Sequence, residues 1–176
     1  MTRARLTGSG PASTKTLSVG IGCRLHTPAA DIEAAVRATL GPYAFEQIGT
    51  IATIDIKAKE AGLLAFCARH ALRLQLFTRE QIAAIPMDSS SAAAHAHLGV
   101  DGVCEPCALL AAQALERATA SRLSPIATIA TIAPIARLVV RKTVHAGVTV
   151  AIASTGDDAN SNTVSLPTAP NDQDLR

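Results

Sequence analysis

The sequence predicts an α/β domain, a three-layer α/β/α sandwich around a mixed β-sheet, and three observations carry that prediction. An apolar run of strand length, Leu17 to Ile21, ends on glycine. It is followed at once by Ile32, Val36 and Leu40 at helical spacing. A second helical segment leads into Leu72, Leu74 and Leu76, which alternate as a strand does. Late in the chain, Arg137–Lys142 and Val148–Ala153 flank Ala146-Gly147 and read as a hairpin, adding antiparallel pairing to a strand–helix–strand order.

In chain order, residues 17–22 read as a buried strand. Pro28 falls in the first turn of the next helix with Thr27 as its N-cap, and Gly41-Pro42 stops that helix. Ile48 to Ile54 fits a strand or the edge of a helix-capping loop. Glu60 to His70 reads as a helix with Leu63, Leu64 and Cys67 inward, and 72–77 as a strand. Thr78-Arg-Glu-Gln81 matches a capping box for a short helix ending before Pro86. Residues 87–91 read as a loop, Ala92–Leu98 as a short helix closed by Gly99, and Val100–Val103 as a turn or edge segment. Glu105–Thr119 has the pattern of a long helix with Pro106 in its first turn. Strands over 137–142 and 148–153 follow, with Val148, Val150 and Ile152 on one face and a turn slightly longer than two residues between them.

The domain reading is a flexible leader over 1–16, one folded unit over 17–153 and a polar, disordered tail over 154–176. A chain of 176 residues can bury one substantial core. Its 48% hydrophobic content and mean hydropathy of +0.27 fit a globular protein rich in alanine. Charge is uneven. The leader holds Arg3, Arg5 and Lys15 without an acid, and the tail holds Asp157, Asp158, Asp172 and Asp174 against Arg176. That leaves +2 for 17–153, with no basic stripe of the nucleic-acid kind. Aromatics at 2% exclude a base-stacking platform. The leader lacks the apolar core of a secretory signal, and the most apolar window, 123–140, is broken by Pro125, Pro134 and Arg137. The expectation is a cytoplasmic protein with reduced thiols, binding neither nucleic acid nor membrane. The repetitive stretch 126–136, IATIATIAPIA, is assigned no function.

Five constellations could carry chemistry. Val19-Gly-Ile-Gly-Cys-Arg24 ends the first strand on a GxG, where a close backbone approach, a following helix N-terminus and Arg24 suit an anion. A tight turn without ligand fits equally. Leu25 stands where a dinucleotide fingerprint needs its third glycine. The second constellation, Asp55 to Glu60, packs Lys57, Lys59 and two acids into six residues. It reads as a solvated helix start or as a lysine aimed into a cleft.

His95, His97, Cys104 and Cys107 are metal-ligand types, but they lack the acid and proline positions of zinc deaminases. The cysteines fit better as small core residues at a helix N-terminus. Glu105 opens a helix, where the dipole favours a carboxylate, and it could also face a cleft as an acid or base. Arg141, Lys142 and His145 either guard a sheet edge or form a second positive wall. No Ser/His/Asp or P-loop arrangement is present.

Four of these segments in order, VGIGCR (19–24), IATIDIKAKEAGLLAF (51–66), GVCEPCALLAA (102–112) and VVRKTVHAGVTVAIA (139–153), resemble the CobE / CbiG C-terminal domain family of cobalamin (vitamin B12) biosynthesis. The resemblance implies a three-layer sandwich and a protein that binds a precorrin or corrinoid tetrapyrrole as carrier or accessory factor. It also implies two alternatives. One is an enzyme of the cobalt-precorrin-5A hydrolase type, acting on a lactone or C–C bond. The other is a non-catalytic partner of another pathway enzyme. Carried over by position, the family pattern falls on Gly20, Gly22, Cys23, Arg24, Lys57, Lys142 and Thr149 as ligand-binding residues. Glu105 and Glu60 are then the groups able to move a proton. The chain departs from the pattern at Cys104 and Cys107, where small residues are expected, and at 124–136. No metal ligand and no cofactor is assigned. Precorrins combine many carboxylates with a large apolar macrocycle, which a cleft bearing Arg24, Lys57 and Lys142 would suit.

Overall fold

The computed structural model describes residues 15–86, 102–123 and 136–155. The short helix expected over Ala92–Leu98, with His95 and His97, lies outside the described residues. So do the 87–91 loop and nearly all of the leader, the 126–136 repeat and the tail.

Five strands form one sheet: β1 (Leu17–Gly22), β2 (Ile48–Ile54), β3 (Arg73–Phe77), β4 (Arg137–His145) and β5 (Val148–Ser154). Their order across the sheet is β3-β2-β1-β5-β4. The first three run parallel, and β5 pairs antiparallel with both β1 and β4, so the sheet is mixed. Helices α1 (Ala29–Leu40) and α2 (Ala61–Arg69) pack together on one face. The long α4 (Cys104–Leu123), with the short α3 (Arg79–Ala83) against it, covers the other. This is the three-layer α/β/α arrangement the sequence predicts. None of the described helices is long and apolar enough to cross a membrane.

The strand period of two divides the sheet into unlike faces. Leu17, Val19 and Ile21 of β1 and Val148, Val150 and Ile152 of β5 face α1 and α2. They meet Ile32, Val36 and Leu40 of α1, and Leu63 and Phe66 of α2, in one aliphatic core. The alternate residues are small. Ala52, Ala151 and Ala153 lie under Cys104, Cys107, Ala108, Ala111 and Ala112 of α4. Small residues on both partners let the helix axis come close to the sheet.

Several local expectations change. Pro28, not Thr27, is the N-cap of α1, with φ −62° and ψ 147°, and no side chain caps the helix. The Thr27 hydroxyl instead donates to the Arg24 carbonyl at 2.9 Å, so it closes the preceding loop. Leu64 faces solvent, because Leu63, Phe66 and Cys67 already fill the inward stripe at i, i+3 and i+4. Ile48–Ile54 is a strand throughout. The hairpin turn is two residues long, since His145 pairs with Val148, and both Ala146 (φ 48°) and Gly147 (φ 80°) take the positive φ of a type I′ turn. β4 runs on to His145, and α4 starts one residue earlier and ends four later than expected. The Thr78 capping box stands as read: Gln81 N–H donates to Thr78 Oγ1, and Thr78 N–H to Gln81 Oε1.

Candidate functional site

The connections fix where a site can form. From β1 the chain winds through α1 to β2 and through α2 to β3, always to one side. The return through α4 places β4 and β5 on β1's other side. β1 is therefore the topological switch point, and the crevice beyond its carboxyl end is where open α/β sheets bind ligands. Strand register draws one row across that edge. Phe77 pairs with Ile54, Gly20 with Ala52 (setting Gly22 level with Ile54), Gly22 with Thr149, and Thr149 with Val144.

Two clusters stand on this row. The first joins Cys23, Lys57 and Glu60. Past Ile54 a single 3-10 turn, Asp55–Lys57, carries Lys57 toward Glu60, the N-cap residue of α2. The Glu60 side chain is 5% exposed. Its Oε2 is 3.6 Å from Lys57 Nζ, and its Oε1 accepts the His26 N–H at 2.7 Å. Cys23 is half-buried beside them. Burial raises its thiol pKa above the ordinary range, the charge of Lys57 works against that rise, and Glu60 adds to it. Arg24 is exposed, and its Cδ and Nε lie over Gly147 of the β4–β5 turn.

The second cluster joins Gly22, Thr149, Cys104, Glu105 and Lys142. Thr149 Oγ1 donates to the Gly22 carbonyl at 3.1 Å. A Cβ added to Gly22 would fall 2.4 Å from that hydroxyl oxygen, so Thr149 fills the space a side chain would take. Glu105, in the first turn of α4, is buried and accepts the Lys142 backbone N–H through Oε1 at 3.1 Å. The pairing of β4 with β5 slips between Val140 and Thr143, a β-bulge that leaves the Lys142 N–H for Glu105 to bind. Burial pushes the Cys104 thiol up to about 11, offset in part by a hydrogen bond with Thr149.

The sequence-predicted residues thus assemble at one edge, with one exception in kind. A Cβ on Gly20 would meet the Cys104 carbonyl oxygen at 1.7 Å, so the atoms in its side-chain space belong to α4. Gly20 admits the helix rather than a ligand. Cys104 and Cys107 point into the alanine-lined layer between α4 and the sheet, where burial raises both thiols. That is the core-residue reading of the pair.

Three features of the edge were not anticipated. His26 holds φ 62°, in the left-handed region, with Glu60 on its N–H. The large side chains Leu25, Ile56 and Val144 stand 71%, 60% and 62% exposed around the row. Gly62, whose Cβ would lie 1.9 Å from the Thr27 carbonyl oxygen, lets α2 press against the loop that carries Arg24. A glycine in the first turn of a helix, where it costs stability, was the available signal for that contact.

Comparison with known proteins bears on the fold and the family. The family described as "Cobalamin synthesis G C-terminus" matches residues 17–153. Over 98 residues the chain is 30% identical to a cobalt-precorrin-5A hydrolase from Priestia megaterium. That match takes in 54% of this chain and 26% of that protein, so the chain spans only about a quarter of that relative's length. The solved structure of CobE, a protein from the cobalamin (vitamin B12) biosynthetic pathway, superposes with a TM-score of 0.62 at 24% identity, covering 79% of this chain and 89% of that one. The cobalamin biosynthesis protein chiG from Agrobacterium tumefaciens gives 0.51 at 28% identity, covering 80% and 99%. The chain belongs to the cobalamin synthesis G C-terminus family.

Proposed function

We propose that this member of the family binds a precorrin-type tetrapyrrole at the carboxyl edge of β1 and β2, as a carrier or accessory factor of cobalamin biosynthesis. One observation supports this above the others: exposed apolar side chains and basic groups occupy the same edge. Leu25, Ile56 and Val144 offer apolar surface, and Arg24, Lys57 and Lys142 stand among them on the same loops and strands. Three large aliphatics exposed at one edge offer a ligand apolar surface to cover, which singly scattered ones do not. A flat apolar macrocycle rimmed by carboxylates would cover them and meet the cations at its rim. Arg24, with its planar fork of donors, is the residue best fitted to grip a carboxylate. Cys23 and Thr149 stand beside the same crevice.

A second reading follows from the name of the Priestia megaterium relative: hydrolysis of a cobalt-precorrin-5A-type substrate, with Glu60 or Glu105 moving a proton. The test of both readings is co-purification of the protein with each pathway intermediate. A coloured, co-eluting complex without turnover supports the carrier. A mass change in the intermediate supports the enzyme. The absence of both results would point to a partner of another pathway enzyme. Arg24→Ala and Lys142→Ala should each weaken the complex about tenfold, as expected for loss of one charged hydrogen bond. Undiminished affinity in both variants removes the site from this edge.

A further inference from the structure

From the paired geometry of Glu60 and Glu105 we infer that both carboxylates are positioning residues: each locks a stretch of irregular backbone that presents a basic residue to the crevice. This rests on the ligand-binding reading of Arg24 and Lys142 above, and it reassigns the two glutamates from proton transfer to geometry.

The two sites have the same construction. Each glutamate stands at the start of a helix, Glu60 as the N-cap of α2 and Glu105 in the first turn of α4. Each side chain is buried, and each accepts a backbone N–H from a distant segment, 34 residues away for Glu60 and 37 for Glu105. In both cases the bound N–H belongs to backbone outside any regular ladder. His26 sits at φ 62°, a conformation a non-glycine residue adopts only when its surroundings hold it there. Lys142 lies in the bulge between Val140 and Thr143. Each locked residue is in turn a cation or next but one to a cation, Lys142 itself and Arg24.

At Glu60 the bond length favours the same assignment. At 2.7 Å, Glu60 Oε1 makes a short, charge-assisted bond, and Oε2 is directed at Lys57. With both oxygens engaged and the side chain almost fully enclosed, Glu60 offers little reach to a bound substrate, which proton transfer would require. Thr27 Oγ1 closes the same loop from inside through the Arg24 carbonyl. The Arg24 loop is therefore pinned at two points, one within the loop and one from α2.

Glutamine separates the alternatives, because its carbonyl oxygen can still accept the amide proton while it carries no charge and cannot exchange a proton as a carboxyl does. In the wild-type protein the His26 amide should be shifted downfield and protected from hydrogen exchange. Glu60→Ala should speed that exchange at least about tenfold, and Glu60→Gln by much less. For function, the probe is a polycarboxylate porphyrin titrated by absorbance. Glu60→Gln should hold its affinity within about threefold and Glu60→Ala should lose about tenfold. Glu105→Gln and Glu105→Ala, read at the Lys142 amide, should repeat the pattern. A fast-exchanging His26 amide in the wild type overturns the lock outright, even if the alanine variants do not fold. Glutamine variants as impaired as alanine ones overturn it in favour of a role for the charge or the proton. If the wild type fails to bind the porphyrin while the amide results hold, the lock stands and the tetrapyrrole reading is what fails.

Discussion

The two faces of the sheet use the same strands for opposite purposes. Toward α1 and α2, β1 and β5 present Leu17, Val19, Ile21, Val148, Val150 and Ile152, and that face is held by volume. Toward α4 the same strands present Gly20, Ala151 and Ala153, and that face is held by proximity. The first layer supplies most of the apolar burial. The second brings the start of α4 down to the end of β1, where Glu105 can reach β4 and Cys104 can lie beside Thr149. A bulky residue is worth what it fills, and a small one is worth what it lets in.

Two substitutions set the layers against each other. Phe66 is fully buried between α1, α2 and the sheet, with its ring edge-on to Phe45 at 6.4 Å. Phe66→Ala should cost about 3–5 kcal/mol in denaturant unfolding, as large cavities do. It should leave the porphyrin affinity of the folded fraction unchanged, because nothing at the carboxyl edge rests on it. Gly20→Ala should cost more than ordinary overpacking, about 1–3 kcal/mol, because backbone atoms of α4 rather than flexible side chains stand in the way. It should also weaken porphyrin binding, because the added methyl must push the Cys104 backbone and the whole start of α4 away from the sheet. A Gly20→Ala protein that binds as the wild type does would break the distinction between the layers.

The sequence made the bulky layer legible and left the close one half-read. Alternation exposes Val148, Val150 and Ile152 as one face, and the i, i+4, i+8 stripe of α1 is plain from Ile32, Val36 and Leu40. The small face carries no such signal, since Gly20 and Gly22 look alike on the page. One is occupied by the backbone of a helix 84 positions further on, and the other by a threonine hydroxyl. The candidate site divides the same way. Arg24, Lys57, Glu60, Glu105 and Lys142 were visible as charges beside apolar runs. That Glu60 would meet the His26 amide, and Glu105 the Lys142 amide, depends on a left-handed residue and a β-bulge that tertiary packing imposes. Thr27 departs from the cap position for a local reason: proline at 28 takes that position, and the hydroxyl turns back to the loop.

The thiols offer a smaller probe of the same contrast. Burial pushes Cys104 up to about 11 and raises Cys107 as well, both beneath α4, and it pushes Cys67 in the α2 layer up to about 11. Cys23 alone among the four is not fully buried. A thiol reagent at mildly alkaline pH should label Cys23 first in the native protein. The other three should react only at the rate of local or global opening. In Gly20→Ala, Cys104 and Cys107 should gain reactivity while Cys67 does not. Equal acceleration at Cys67 would mean that the two layers loosen together.

The smallest effect belongs to the outer surface of the α1–α2 layer. Glu33 lies between helices, with Oε2 at 3.0 Å from His70 Nε2 and 3.4 Å from Arg69 Nη1, and Oε1 at 2.9 Å from Arg37 Nη2. The hydrogen bond with His70, then that with Arg37, holds its carboxyl pKa down at about 2. A depressed carboxyl favours the folded state above its unfolded pKa, so the contribution is fully present above about 4.5 and is lost as pH falls toward about 2. Solvent reaches this cluster, so the gain is modest and salt should reduce it. Glu33→Gln should therefore lower the melting temperature slightly at neutral pH and low salt. The difference from wild type should shrink through the acid range and vanish only below pH 2, with porphyrin affinity at neutral pH untouched. A gap that persists well below pH 2 would assign the effect to packing against His70 rather than to charge. That would make the surface of this layer, like its interior, a matter of volume.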